Sequence, residues 1–105
     1  MRDYPIKRAY KKRLKEGALR ELMEKHFENV KEDGEYITGS YGAMKLIKAR
    51  FDGNVLWVET ETDPSASDDI ALDTVKVYNR FLEEATGYTA KERKKLLNKL
   101  AKEGQ

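Results

Sequence analysis

Cysteine is absent from the 105 residues, which removes disulfides, thiolate metal sites and thiol nucleophiles together and makes the cytoplasm the expected compartment. Histidine occurs once, at His26. A general base needs a reacting group within reach and a second group to orient it, and the sequence offers His26 neither. Helical spacing sets it between Leu22 and Val30, so the expectation is a histidine at the edge of the core, satisfied by a backbone carbonyl. Proline is scarce, with two residues, and no apolar run approaches the roughly 18 residues of a membrane span. The first residues also lack the apolar core of a signal peptide, so neither membrane insertion nor export is expected. No internal repeat or dividing linker interrupts residues 1–105, and one domain is expected.

Charge is abundant. Asp, Glu, Lys and Arg make up 38% of the chain, against about 25% in an average soluble protein. The excess is mostly Lys and Glu, a bias common in proteins from hot environments, where ion-pair networks cost less desolvation. Hydrophobic residues at 39% and aromatics at 10% still supply enough apolar surface for one core. The net charge of +2 hides an asymmetry: nine basic and four acidic residues lie in 1–25, six and thirteen in 26–87, and six and two in 88–105. Both ends are basic and the middle is acidic.

Residues 3–9 read as a short first strand, with Tyr4 and Ile6 on one side and Pro5 near the start, where a missing N–H is tolerated. From about Leu14 to Phe27, Ala18, Leu19, Leu22 and Met23 recur at helical spacing, and Gly17 is expected to weaken only the first turn of that helix. Asp33-Gly34 and Asp52-Gly53 are two-residue hairpin signals between runs rich in strand formers. Gly39 and Gly42 bracket a turn or bulge between the two hairpins, giving a meander of about four strands. After Pro64, Ser67 or Asp68 caps a helix with Ile70, Thr74, Val77, Tyr78, Phe81, Leu82 and Ala85 on one face, and Gly87 ends it. Thr89-Ala90-Lys91-Glu92 is a capping box. It opens an appended basic helix over 89–103, with Leu96, Leu97 and Leu100 as a narrow stripe and Lys91, Arg93, Lys94, Lys95, Lys99 and Lys102 on its other sides. The order is β-α-β-β-β-β-α-α, an α+β two-layer sandwich in which an antiparallel sheet carries helices on one face.

That order resembles a small archaeal orthologous group of unknown function. The resemblance spans nearly the whole chain and rests further on Tyr4-Pro5-Ile6-Lys7-Arg8, on Val58-Glu59-Thr60-Glu61-Thr62-Asp63-Pro64, and on Tyr78-Asn79-Arg80-Phe81 followed by Gly87-Tyr88-Thr89-Ala90-Lys91-Glu92. It implies a two-layer α/β sandwich of the TATA-box-binding-protein-like (TBP-like) fold with an added C-terminal helix. By analogy it also implies a positive surface for an anionic partner. None of these segments is a catalytic signature.

Three groups of residues could carry function. Glu59, Glu61 and Asp63 alternate along one strand face, as carboxylates around Mg²⁺ can, but no metal-loop spacing accompanies them, and a solvated edge is the expected reading. Gly39-Ser40-Tyr41-Gly42 lacks the Gly-Lys-Ser/Thr ending of a phosphate loop, so no cofactor or metal is expected. The third group is cationic. Lys7, Arg8, Lys11, Lys12, Arg13 and Lys15 crowd the first strand-to-helix connection, and Lys94, Lys95, Lys99 and Lys102 extend that surface if the last helix docks nearby. Such groups engage phosphates and release counterions. Trp57, with Tyr36 and Tyr41 on strands beside Lys45, Lys48 and Arg50, would add a stacking platform. The expected function is non-enzymatic binding of DNA or RNA backbone. The alternative is a protein-interaction module or homodimer using the leucine stripe or an uncovered sheet face.

Overall fold

The computed structural model of the chain describes the backbone of residues 2–103 and the side chains of 2–96, 98 and 99. Nine elements follow in order: β1 (Arg2–Pro5), α1 (Arg8–Lys15), α2 (Ala18–His26), β2 (Glu28–Asp33), β3 (Tyr36–Tyr41), β4 (Met44–Phe51), β5 (Val55–Thr62), α3 (Asp68–Thr86) and α4 (Ala90–Glu103). The strands form one antiparallel sheet in the order β1-β5-β4-β3-β2. Four strands are therefore the expected meander, and β1 joins it at the β5 edge, with Tyr4 opposite Leu56.

The start of the chain differs from the sequence reading. The first strand ends at Pro5, and residues 8–15 are helical. What reads as one helix is two, because Gly17 takes φ +92°, a left-handed conformation that cannot continue a helix. Helical periodicity persists across the break, since Leu14, Leu19, Leu22 and Met23 are all buried; periodicity alone therefore hides the corner. The order is β-α-α-β-β-β-β-α-α.

Period-two alternation decides which sheet face is covered. Ala49 pairs with Val58 and Phe51 with Leu56. These residues and Ile47 join Leu14, Leu19, Leu22 and Met23 from α1 and α2, and Phe81, Leu82 and Ala85 from α3, in one apolar cluster. The intervening residues Lys48, Arg50 and Trp57 belong to the opposite face. At 0% exposure Phe81 lies at the centre of the cluster, its ring edge-on to Phe27 at 5.0 Å.

Helix α3 begins and ends as its sequence indicates: Ser67 accepts from the Ile70 amide, and Gly87 closes the last turn at φ +81°. Its first turns overhang the sheet, however. Ile70 is 48% exposed, whereas the apolar stripe places it with the core, and Leu72 and Val75 are exposed too. Among the described residues no helix is long and apolar enough to cross a membrane.

Candidate functional site

Helix α1 is held down by Tyr10 and Leu14, one turn apart, and turns most of its cations outward: Arg8, Lys12, Arg13 and Lys15 are exposed. Lys12, Arg13 and Lys15 lie in its last turn, where the negative end of the helix dipole favours them. The Arg13 guanidinium also stands over the Tyr10 ring at 5.5 Å. Lys11 donates from Nζ to Asn54 Oδ1 at 3.1 Å, which ties α1 to the β4–β5 turn. Lys7, at the N-cap of α1, donates its backbone N–H to Thr86 O at the end of α3, and its ammonium sits 5.2 Å from the centre of the Tyr88 ring.

Helix α4 starts at the capping box the sequence announces. The Thr89 amide donates to Glu92 Oε1 and Thr89 Oγ1 accepts from the Glu92 amide. The backbone N–H of Thr89, and then its side-chain hydroxyl, hold the Glu92 carboxyl below its ordinary pKa, with Lys7 and Lys95 adding a smaller effect. Lys94, Lys95 and Lys99 are exposed on this helix. The Lys102 side chain lies outside the described residues, as do those of Leu97 and Leu100.

The two basic segments thus meet at one point. Lys7 packs on Tyr88 at the entry to α4. Among the described residues the ion pairs within 4.0 Å use Arg20, Lys25, His26 and Arg50. None of the candidate cations of α1 or α4 is in one.

Trp57 stands apart from that surface. It faces away from the helices, directly across from Arg50, whose guanidinium lies 5.7 Å from the Trp57 ring and 5.9 Å from Tyr36. Lys48 adds a second cation over Tyr36 at 5.4 Å. The indole is half-buried in this row rather than a bare platform. Tyr41 is tied up as well: it packs against the core and donates its hydroxyl to Asp73 on α3.

The acidic candidates do not converge. Glu59 pairs across the sheet with Lys48 and Glu61 with Leu46, while Asp63 accepts from the amide and hydroxyl of Ser65. Those two bonds hold Asp63 below the usual carboxylate range. No group of three His, Cys, Asp or Glu able to hold a metal occurs among the described residues. His26 departs from its expected partner: the packing of α2 on α3 brings it to the Glu84 carboxylate, which it bonds. Glu84 also accepts from Lys25 at 2.8 Å, and these two bonds, Lys25 first, lower its pKa.

Arg93 is the residue the sequence reading misplaces. Grouped there with the outward lysines of α4, it is only 4% exposed. It donates from Nη1 to Tyr88 O at 2.6 Å and from Nη2 to Asn79 Oδ1 at 3.1 Å. A signal was available: 93, 96, 97 and 100 share one helical face, so Arg93 occupies a position of the apolar stripe. It lines a cleft of about 310 Å³ between β1, α3 and α4.

A family model described as DUF5611, a domain of unknown function, matches residues 1–99. A solution structure of a hypothetical protein from Thermoplasma acidophilum, determined by NMR, is 34% identical to the chain. It aligns over 92% of this chain and 97% of that one, with a TM-score of 0.65. No curated protein matches.

Proposed function

The chain belongs to the DUF5611 family, whose description carries no activity, and from that premise we propose that it is a non-enzymatic cytoplasmic domain binding a negatively charged partner, nucleic-acid backbone foremost. The observation that carries this reading is the unpaired state of the cations on α1 and α4. In a chain with 19 acidic side chains, Arg8, Lys12, Arg13, Lys15, Lys94, Lys95 and Lys99 stay exposed with no carboxylate of the described residues within ion-pair distance. Cations left to solvent keep their counterions, and exchanging those for phosphates drives association by counterion release. Lys7 supports continuity of the surface by bridging to Tyr88. Trp57, on the far sheet face, is no part of this surface. The five-stranded antiparallel sheet backed by helices supports a TBP-like reading of the fold, from which no activity follows.

Salt titration of binding to random-sequence oligonucleotides tests the proposal. Affinity is expected to fall linearly in log–log form with a slope near −0.7 to −0.9 per phosphate neutralised. Combined Lys11→Glu, Lys12→Glu and Arg13→Glu should weaken binding at least about tenfold, since each reversal removes one contact and adds a repulsion. Absence of binding at low salt, or indifference to that triple change, refutes it.

The protein-interaction reading is favoured by a different observation. Ile70, Leu72 and Val75 expose 48%, 62% and 54% of their surface on α3, a concentration of apolar area that water disfavours. Light scattering across a concentration series would support it if a dimer forms and Leu72→Lys dissolves it; a monomer at every concentration counts against self-association.

A further inference from the structure

Arg93 is a buried cation whose hydrogen-bond partners among the described residues are neutral. Its guanidinium has five N–H donors, of which one bonds the Tyr88 carbonyl and one the Asn79 amide oxygen. No carboxylate lies within ion-pair distance of it among the described residues. Burial accordingly lowers its pKa, the nearby Tyr4, Tyr78 and Glu83 opposing this only in part. A charge taken out of water without a counter-charge is costly, and the cost is relieved when an anion arrives.

The cleft beside it is built to receive one. Arg2, Tyr4, Tyr78, Asn79, Arg93 and Lys94 are among its lining residues, and among the described residues no Asp or Glu lines it. Arg2 and Tyr4 alternate on the helix side of edge strand β1, which brings one cation and one phenol over α3. Tyr4 and Tyr78 share a hydrogen bond at 3.0 Å, so one phenolic proton is used between them and the other remains to be donated. Burial, and then Tyr4, raise the Tyr78 pKa, so its hydroxyl keeps its proton at any working pH. Beyond Arg2 and Tyr78 the cleft continues into a second of about 420 Å³, bounded by Val58, Glu59 and Thr60. There Thr60, of the same parity as Val58, offers a hydroxyl on the helix side, while the Glu59 side chain shares the far face with Lys48.

We propose that this cleft binds a phosphorylated small molecule, its phosphate held by Arg93 at the floor and by Arg2 and Lys94 at the mouth, and its hydroxyl-bearing remainder directed toward Thr60. A planar guanidinium offers paired N–H bonds matched to phosphate oxygens, and the asparagine amide and free phenolic proton complete the donor set. The volume, at the lower end for small-molecule sites, suits a compact ligand and excludes a duplex. The inference goes beyond polyanion binding by α1 and α4. Lys94 belongs to both surfaces, but Arg2, Tyr78 and Arg93 belong to the cleft alone.

NMR titration of the full chain with inorganic phosphate and with glycerol 3-phosphate, at ionic strength fixed with chloride, is the test. Saturable shifts are expected at the Arg93 Nε–H, the Asn79 side-chain amide and Tyr78, with glycerol 3-phosphate binding more tightly than phosphate. Arg93→Gln should weaken both at least tenfold. Because that change can also loosen α4, Arg2→Gln, at an exposed position, provides the second variant and should weaken both at least threefold with the fold intact. The triple α1 reversal should leave phosphate binding unchanged, which separates this site from the oligonucleotide surface. Non-saturating shifts scattered over exposed lysines, no response to phosphate, or affinity unmoved by Arg2→Gln would overturn the proposal.

Discussion

Asp52 holds Trp57 in place: the indole Nε1–H donates to Asp52 Oδ2 at 2.8 Å, while Oδ1 accepts from the amides of Asn54 and Val55, also at 2.8 Å each. A carboxylate accepting three N–H bonds resists protonation. The Val55 amide, the indole and the Asn54 amide together lower its pKa from 3.8 to about 2. The folded value lies below the unfolded one, so this group's contribution to stability is full above about pH 3.8 and is lost as pH falls toward about 2. The Trp57 indole N–H resonance should stay constant from pH 7 to pH 4 and move with a midpoint near 2. A midpoint near 4 would show that the three hydrogen bonds to Asp52 do not persist in solution.

Gly17 and Gly87 both have positive φ, but only one is crowded. A Cβ at Gly87 would meet the Tyr10 ring at 2.8 Å, whereas nothing lies within 4 Å of one at Gly17. Gly17→Ala should therefore cost only the left-handed strain, about 1–2 kcal/mol. Gly87→Ala should cost clearly more, since Tyr10 must move and with it the seat of α1. Denaturant unfolding of the two variants gives the comparison, and equal losses would contradict the close packing of α1 on the α3–α4 corner.

Thr74 bridges sheet and helix. Its Oγ1 accepts from the Ala43 amide at 2.9 Å and donates to Ile70 O at 2.7 Å, and the residue is 5% exposed. Thr74→Val keeps the shape but strands the Ala43 N–H, so a loss of about 1–3 kcal/mol is expected from denaturant unfolding. Amide exchange should localise the change, with Ala43 losing protection before the α3 interior does.

The Glu84 carboxylate, lowered by Lys25 and then His26, gives the second pH signature. Its folded pKa lies below the unfolded 4.5, so the benefit is present above about pH 4.5 and disappears as pH drops through the folded value. Because Glu84 is 37% exposed on its side chain and Lys25 62%, screening keeps the effect modest. Glu84→Gln should lower Tm at pH 6.5 and leave it nearly unchanged at pH 3. An equal loss at both would assign the residue's role to packing alone.

Much of the architecture was legible from local chemistry. The two hairpins fall at the Asp-Gly signals, though the first turn is Gly34-Glu35, one residue on, with Asp33 paired to Tyr36, and the second loop is Asp52-Gly53-Asn54; Ser67 and Gly87 bound α3, and Thr89 with Glu92 opens α4, because each of these signals acts between residues close in sequence. Gly17 was underread for the opposite reason. A glycine is compatible with a helix at modest cost, and the choice of a left-handed turn depends on where α1 must go to cover the core. Ile70 obeyed the apolar periodicity and still emerged into solvent, since the sheet beneath it ends before the helix does.

Composition alone set the absence of thiol chemistry, the single histidine, the basic ends and the acidic middle. Alternation along the strands fixed that Trp57 lies opposite in parity to Leu56 and Val58. Tertiary structure decided which partner each charge meets: His26 with Glu84, Lys7 with the Tyr88 ring, and Arg93 with two neutral groups in a cleft shared by β1, α3 and α4. Sequence patterning follows helix and strand periods within one segment. The field at a guanidinium is instead set by side chains that arrive from segments as much as 89 residues away, as Tyr4 does at Arg93, and only packing brings them together.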